Sequence, residues 1–277
     1  MTILDRIIAQ KRIEISERKA QTSASSLMQS PDFERVVNSA RQAILRNNST
    51  GIIAEFKRKS PSKGIINDSV SVVDTTAGYV LAGAACLSVL TDEPFFGGTP
   101  TDLREARQAN PTTPILRKDF VIDEYQLLEA KSWGADFVLL IAACLSPAEV
   151  QTLSQTAHEL GMEVLLEVHD ETELTQTLCD SVDLVGVNNR NLKTFETSID
   201  TSIRLIDRIP ASFVRITESG LHDAATIRML REVGYDGFLI GEAFMKTTLP
   251  GNALAELVQN FDNEQTIHHS AMAPIHG

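Results

Sequence analysis

Cysteine is scarce in this sequence, with three residues in 277. Cys86, Cys144 and Cys179 are odd in number and form no C-x-x-C pair, so neither a disulfide framework nor a zinc ribbon is expected. We expect each to be a small buried residue of a protein in a reducing compartment.

Positive charge is also in short supply. Lys and Arg number 25 against 37 Asp and Glu, which gives a net charge of −12 and a pI of about 5.0. Because binding to a nucleic-acid backbone needs clustered basic residues, this balance argues against a nucleic-acid partner and an anionic membrane surface. A small anionic substrate remains compatible, since a few local cations and backbone amides suffice to bind it.

Long apolar runs are missing. No run reaches the roughly 18 residues that a membrane helix needs, and the sequence turns charged soon after Ile8, without a secretory apolar region. We therefore expect a cytoplasmic protein that makes no membrane contact.

Several motifs of common enzyme classes are absent as well. No G-x-G-x-x-G follows the first apolar run and no G-x-S-x-G is present, which argues against a dinucleotide fold and a serine hydrolase elbow. His169 is the only histidine at the end of an apolar run, so no metal site is predicted. His158 and His222 are expected at surface or helix-capping positions.

What the sequence has is a regular alternation of short apolar runs with helical stretches. Continuous apolar runs are typical of parallel strands buried on both faces, and each gap is long enough for a crossover helix. We predict an α/β fold, a (β/α)₈ TIM barrel with an N-terminal helical extension. An open doubly wound sheet remains an alternative, because periodicity does not show closure. The eight runs are 52–56, 86–90, 115–117, 137–141, 164–168, 184–187, 213–217 and 238–240.

The first part of the chain has no strand signal. Apolar spacing predicts a helix over about 4–19, and Pro31 suggests the start of a second helix that ends near Arg46. We assign residues 1–48 to an N-terminal helical extension, 49–261 to the catalytic barrel and 262–277 to a flexible tail. Within the barrel, Ser146 is predicted to cap a helix, and Gly134, Gly161 and Gly234 to end helices.

Polar residues at the ends of the apolar runs are the main functional signal. The active site of a parallel barrel lies at the carboxyl ends of its strands, so these side chains are expected around one mouth. Charges of both signs in one low-dielectric cup suit acid–base chemistry. The alternative is an ion-pair network that only closes the barrel top. The predicted mouth residues are Glu55, Lys57, Lys118, Glu167, Asn188, Arg190 and Glu218.

A second signal follows the seventh and eighth runs. Ser219, Gly220 and Gly241 stand where backbone amides of a barrel approach a phosphate, and Ser60 and Arg190 are expected to add a hydroxyl and a cation. The predicted ligand is a small sugar phosphate. A Schiff-base aldolase that uses Lys57 or Lys118 stays open at this point.

Six segments that contain these predicted site residues resemble the indole-3-glycerol-phosphate synthase family. The resemblance covers about residues 3–257, and its most specific part is the first string, EFKRKSPS. Glu242 stands where some relatives have Ser at the phosphate loop. The matching segments are IAEFKRKSPSKG (53–64), LRKDF (116–120), LEVH (166–169), GVNNRNL (186–192), ESG (218–220) and LIGE (239–242).

The resemblance implies a reaction and a set of roles. The substrate is 1-(2-carboxyphenylamino)-1-deoxyribulose 5-phosphate, and the products are indole-3-glycerol phosphate, carbon dioxide and water, in tryptophan biosynthesis and without a cofactor. Lys118 is the implied general acid and Glu167 the base. Lys57 lies near the substrate carboxylate or acts as a second acid, and Glu55 sets the charge of a lysine. A monomer or weak homo-oligomer is expected.

The remaining implied roles concern binding. Asn188 hydrogen-bonds the substrate and helps to place Lys118, Glu218 orders the site, and Arg190 steers the anion. The phosphate is expected on Ser60, Ser219 and the amides of Gly220 and Gly241, and the aromatic ring against Phe95, Phe96 and Phe120.

Two other functions are alternatives to the synthase. A phosphoribosylanthranilate isomerase is the nearest alternative enzyme, but that chemistry uses a Cys and an Asp at strand ends, where this sequence has Glu55 and Lys57. A barrel that binds phosphate without catalysis is the other, and the charged set is richer than anion binding requires.

Overall fold

Eight parallel strands close into a barrel in the computed structural model, which describes the backbone of residues 2–271 and the side chains of residues 2–260. Each strand pairs with the next along the chain, and the last pairs with the first, with Ile52 opposite Phe238. The predicted TIM barrel is therefore confirmed, and the open sheet is excluded. The strands are β1 Ile52–Phe56, β2 Cys86–Leu90, β3 Ile115–Lys118, β4 Phe137–Ile141, β5 Glu163–Val168, β6 Leu184–Asn188, β7 Val214–Glu218 and β8 Gly237–Ile240.

Helices precede the barrel, connect its strands and follow its last strand. A two-stranded hairpin, Lys59–Ser60 with Gly64–Ile65, extends the loop after β1, and short 3₁₀ helices follow β4 and α10. The helices are α1 Ile3–Gln21, α2 Ala24–Met28, α3 Ala40–Leu45, α4 Val72–Leu81, α5 Glu93–Phe96, α6 Pro100–Ala109, α7 Glu124–Ser132, α8 Pro147–Glu159, α9 Glu171–Thr177, α10 Asp200–Leu205, α11 Ala224–Glu232, α12 Glu242–Met245 and α13 Pro250–Ala271.

The strands are apolar throughout because both of their faces are buried. In β1, Ile53 belongs to the cluster that fills the barrel interior, together with Leu116 and Phe137. Its neighbours Ile52 and Ala54 belong to the larger cluster between strands and helices. Burying one such large side chain contributes roughly 1.5–3 kcal/mol, so every strand is held from two sides.

Helix ends follow the predicted punctuation. Ser146 and Glu149 form a reciprocal capping box at the start of α8. Gly134, Gly161 and Gly234 have positive φ angles of 89°, 77° and 114°, the conformation that ends a helix at little steric cost. These glycines turn the chain from a helix into the next strand.

The N-terminal extension runs along the barrel from one end to the other. Helix α1 has 19 residues, about 28 Å at 1.5 Å per residue. Ile15 of this helix and Leu27 of α2 pack against Tyr125 of α7. At the far end, Ala40 and Ile44 of α3 join the cluster inside the barrel. Helix α3 therefore plugs the end of the barrel opposite the strand C-termini.

The predicted second helix over 31–46 is wrong. Residues 31–35 form turns and 36–39 are extended, and the helix begins only at Ala40. The barrel competes for the backbone donors: Asp136 accepts from the Asn38 amide at 2.7 Å, and Glu163 accepts from the Arg41 amide at 3.0 Å. Ser39 then caps the shorter helix, so tertiary hydrogen bonds override the local pattern.

The proposed division at residue 48 falls in the loop between α3 and β1. At the other end, α13 runs from Pro250 to Ala271, into the predicted tail 262–277. The side chains of that tail, and residues 272–277 altogether, lie outside the described residues, so its flexibility stays a prediction. Within the described part of the chain, no helix combines the length and apolar character that crossing a membrane requires.

Candidate active site

A cavity of about 450 Å³ opens at the carboxyl ends of the strands. Twelve of the residues predicted for catalysis and substrate binding line it, although they come from six strands and the loops that follow them. The structure thus brings the predicted residues together, while their chemical roles stay predictions. They are Glu55, Lys57, Ser60, Lys118, Phe120, Glu167, Asn188, Arg190, Glu218, Ser219, Gly220 and Gly241.

Lys118, the last residue of β3, stands at the centre of the charges. Its Nζ lies 2.8 Å from Glu218 Oε2, 3.7 Å from Glu55 Oε2 and 3.8 Å from Glu167 Oε2. Burial alone would lower the pKa of Lys118, but the three carboxylates outweigh burial and raise that pKa well above its ordinary value. Lys118 is therefore an ammonium in the ligand-free site and holds a proton to donate.

Lys57 and Glu55 share one face of β1 and its extension, as alternation along a strand predicts. Lys57 Nζ lies 2.7 Å from Glu55 Oε1, and Ser88 Oγ donates to Glu55 Oε2 at 3.3 Å. Burial would raise the pKa of the Glu55 carboxyl, but Lys57 and Lys118 outweigh it and lower that pKa. Glu55 is thus a carboxylate that touches both lysines.

Glu167 and Glu218 have opposite pKa shifts. Burial would raise the pKa of Glu167, but the close approach of His169 Nε2 at 3.3 Å and the charge of Lys118 lower it. Burial and the adjacent Glu167 raise the pKa of Glu218 against the pull of Lys118. Neighbouring carboxyls pushed apart in this way mark an ionised base beside a group that keeps a proton.

The Asn188 side chain, at the end of β6, binds Glu167. Its Nδ2 donates to Glu167 Oε1 at 3.0 Å, and its Oδ1 accepts from the Arg190 amide at 2.9 Å. Because β6 pairs directly with β5, Asn188 reaches Glu167, whose Oε2 lies 3.8 Å from Lys118 Nζ, and its part in placing Lys118 stays a prediction.

The loops after β7 and β8 approach the cavity with their backbone. Ser219 and Gly220 have φ angles of 69° and 78°, a left-handed pair that turns the chain across the mouth. A Cβ on Gly241 would lie 2.6 Å from Glu55 Oε1, so only glycine fits beside that carboxylate. These backbone positions suit an anion that is gripped by N–H groups.

Cations and a carboxylate flank this backbone cradle. Arg190 contributes a guanidinium whose NH2 lies 3.6 Å from Glu242 Oε2 and whose NH1 donates to Ser62 Oγ at 3.1 Å. Lys63 Nζ lies 3.6 Å from Glu242 Oε1. Glu242, which departs from the Ser of some relatives, is thus paired with two cations. These cations screen its negative charge, which reduces its repulsion of a bound anion.

Two aromatic rings line the other side of the cavity. Phe96 and Phe120 have ring centroids 6.0 Å apart with planes tilted by 39°. Phe95, predicted for the same wall, is not among the lining residues. The pair gives the cavity an apolar part of its wall.

Sequence reasoning missed the part played by helix α1. Ile3, Leu4 and Ile7 line the cavity, so the extension forms part of its wall. One turn further on, the fully buried Lys11 ammonium lies 2.8 Å from Asp92 Oδ2 and 2.9 Å from Asp119 Oδ1. The signal was present in the sequence, because Lys11 is four residues from both Ile7 and Ile15, on the same face of the helix.

Fold and site together define a barrel enzyme with an acid–base cluster beside an anion cradle. The family model for indole-3-glycerol phosphate synthase matches residues 4–257. The curated protein of that name from Bacteroides thetaiotaomicron is 48% identical over 259 residues, covering 94% of this chain and 97% of that protein. The one from Bordetella pertussis is 44% identical over 259 residues, covering 92% and 98%. The chain belongs to the indole-3-glycerol phosphate synthase family, whose members are lyases of tryptophan biosynthesis.

Solved structures that share the architecture come from other enzymes. A 3-hexulose-6-phosphate synthase from Salmonella typhimurium aligns with a TM-score of 0.61 and 14% identity over 76% of this chain and 98% of that one. A tryptophan synthase alpha subunit from Legionella pneumophila aligns with a TM-score of 0.59 and 13% identity over 81% and 97%. At these identities the likeness shows the barrel fold alone.

Proposed function

We propose that this chain converts 1-(2-carboxyphenylamino)-1-deoxyribulose 5-phosphate, the anilino-ribulose phosphate, into indole-3-glycerol phosphate, carbon dioxide and water. One observation carries the proposal beside the family match. The Lys118 ammonium stands among three carboxylates and within the same cavity as the backbone cradle formed by Ser219, Gly220 and Gly241. Acid–base groups and an anion site in one cup suit a reaction on a phosphorylated substrate.

Ring closure needs an acid. As the aromatic carbon attacks the ketone, the ketone oxygen gains negative charge and takes a proton. Lys118 supplies that proton, since its raised pKa keeps it charged until the oxygen becomes basic. A raised lysine pKa is also the opposite of what a Schiff-base aldolase needs, because that chemistry starts from a neutral amine.

Loss of the carboxylate as carbon dioxide then restores the aromatic ring. Lys57, whose Nζ lies 2.7 Å from Glu55 Oε1, either binds the substrate carboxylate or acts as the second acid of the reaction. Dehydration follows: the hydroxyl takes a proton from an acid, Lys57 or the reprotonated Lys118, and leaves as water, while a proton is removed from the new ring. Glu167, the ionised member of the carboxyl pair, is the base for this step.

Binding uses the groups around these charges. Ser60, Ser219 and the amides of Gly220 and Gly241 hold the phosphate, and Arg190 adds a cation. Phe96 and Phe120 pack against the anthranilate ring. Asn188 fixes Glu167 through its amide, and Glu218 holds Lys118 in place. None of these steps calls for a cofactor.

The test is turnover of the defined substrate by the purified chain. We expect indole fluorescence to develop and carbon dioxide to be released in equal molar amount. Turnover of phosphoribosylanthranilate in its place would identify an isomerase, although among the described residues no cysteine lines the cavity, as that chemistry prefers. Binding of the anilino-ribulose phosphate without turnover would identify a phosphate-binding barrel. Either result contradicts the proposal.

We also propose that the enzyme acts in the cytoplasm as a monomer or weak homo-oligomer. The acidic pI of about 5.0 and the three unpaired cysteines support a reducing compartment. Light scattering at several protein concentrations tests the second part: a concentration-independent mass of a larger complex would contradict it.

A further inference from the structure

Behind Glu167, on the side away from the cavity, lie two further ionisable residues, His169 and Glu173. His169, two residues further along, has its Nε2 3.3 Å from Glu167 Oε1. On the other side of the ring, Nδ1 lies 3.1 Å from Glu173 Oε2, the same oxygen that accepts from the His169 backbone amide at 2.8 Å. The imidazole is therefore fixed between two carboxylates, one inside the cavity and one on helix α9.

His169 does not itself line the cavity, and its Nε2 is buried without a hydrogen bond of good geometry among the described side chains. Glu167 Oε1 is the acceptor within reach of that nitrogen, and it already accepts from Asn188 Nδ2. A buried imidazolium within ion-pair distance of a carboxylate stabilises the charge of that carboxylate and favours its position beside the ring.

The surroundings keep this ring charged. The charged groups in contact with it are Glu167 on β5 and Glu173 on α9, and the 3₁₀ helix that packs against both of these elements carries Cys144. Burial would lower the pKa of His169, but the two glutamates outweigh burial and raise it to about 10. Burial raises the pKa of the Cys144 thiol to about 12, so the thiol adds no charge at neutral pH.

We propose that His169, held by Glu173, is a positioning residue that keeps Glu167 ionised and fixed in place, so that Glu167 and not Glu218 serves as the base. Lys118 does not favour Glu167 over Glu218, because its Nζ lies 2.8 Å from Glu218 and 3.8 Å from Glu167. His169 contacts Glu167 alone of this pair. The imidazolium thus favours the ionised form of Glu167, so that a proton shared by the two carboxyls resides on Glu218.

The proposal rests on the proposed function, and its test is the pH profile of kcat for the anilino-ribulose phosphate. Replacing His169 by Gln removes the charge behind Glu167, so the proton moves from Glu218 toward Glu167. We expect kcat at pH 7 to fall about tenfold with KM within about twofold, and the acidic limb of the profile to move up by about one pH unit. Activity should recover at higher pH, where both carboxyls ionise.

Two further variants separate charge from structure. Glu173→Gln leaves the ring in place without its outer partner and should move the acidic limb in the same direction by less. His169→Lys keeps a positive charge and should restore the limb toward the wild-type pH. His158→Gln, which removes an exposed histidine paired with Asp183, is the matched control and should change nothing.

The outcomes are distinguishable from failure of the function itself. A wild-type chain that does not turn over the substrate overturns the proposed function. A wild-type chain that is active, with His169→Gln and Glu173→Gln profiles that superpose on it, overturns the role of His169. A His169→Gln variant that loses activity equally at every pH also overturns it, because a purely structural role would not move the acidic limb.

Discussion

Individual residues in this site are defined by the charges next to them. Lys118 and Glu218 were predicted because each ends an apolar run, and strand ends of a parallel barrel meet at one mouth. That the pKa of each is raised was not predictable from sequence, because the shifts depend on burial and on distances such as the 2.8 Å between Lys118 Nζ and Glu218 Oε2. His169 was noted only as a lone histidine, since its contact with Glu173 appears once β5 and α9 are folded together.

Gly241 gives a test at the scale of one methyl group. A Cβ at this position would lie 2.6 Å from Glu55 Oε1, so Gly241→Ala must displace that carboxylate or the phosphate loop. We expect kcat/KM to fall about 100-fold, as for a misplacement of about 1 Å in a catalytic site. Steady-state kinetics with the anilino-ribulose phosphate would measure this loss.

Gly161→Ala is the matched control for that substitution. Gly161 has a φ of 77° but lies outside the cavity, and its nearest neighbour is the far end of the Lys131 side chain at 3.9 Å. Alanine there should cost about 1 kcal/mol of stability and leave the kinetics unchanged. If Gly241→Ala behaved like Gly161→Ala, the close approach to Glu55 would have no bearing on function.

At the scale of whole elements, strands were more predictable than the helices of the extension. The predicted eighth run, 238–240, differs from β8 by one residue. The agreement is close because a strand that is buried on both faces needs apolar residues throughout. The helix predicted over 31–46 failed because Asp136 and Glu163 of the barrel accept hydrogen bonds from this segment. Such competition between distant elements leaves no periodic trace in the sequence.

Helix α1 is tied to the barrel mouth through Lys11, and this contact can be broken. Lys11→Met would leave Asp92 buried without its cation and would remove one of the two cations on Asp119, which also pairs with Arg117 at 2.9 Å. We expect a loss of about 3–5 kcal/mol in the free energy of unfolding, the usual result of removing one partner of a buried ion pair. Because Asp119 follows Lys118 directly, kcat/KM should also fall. Urea unfolding and steady-state kinetics would measure the two effects.

Arg12→Met provides the control for Lys11→Met, since it removes the same charge from the next residue, which is exposed. We expect it to change stability by no more than about 0.5 kcal/mol. Equal effects of the two substitutions would mean that the helix is held by its apolar side chains and that the buried lysine adds nothing.

For the molecule as a whole, the extension serves both the site and the core. An extension that only covered the site would, when residues 1–46 are removed, affect substrate binding more than stability. The structure shows that the two functions belong to different parts of it: Ile3, Leu4 and Ile7 line the cavity, whereas Ala40 and Ile44 fill the opposite end of the barrel.

Two truncations separate these functions. Deleting residues 2–8 should raise KM for the anilino-ribulose phosphate while the melting temperature changes little. Deleting residues 2–46 should lower the melting temperature markedly, because burial of one side chain such as Ile44 is worth roughly 1.5–3 kcal/mol and the barrel interior would lose its plug. A thermally stable barrel after the longer deletion would contradict this division of the extension.

The most direct measurement of the central claim is a single-turnover experiment on Lys118→Met, with enzyme in excess over the anilino-ribulose phosphate. The substitution removes the ammonium that Glu218, Glu55 and Glu167 surround, so indole fluorescence should develop at least about 1,000-fold more slowly while the folded barrel still binds the substrate. Lys131→Met, at a buried lysine outside the cavity, should keep the wild-type rate. Fluorescence that develops in Lys118→Met at a rate close to that of the wild-type enzyme would contradict the role of Lys118 as the acid of ring closure.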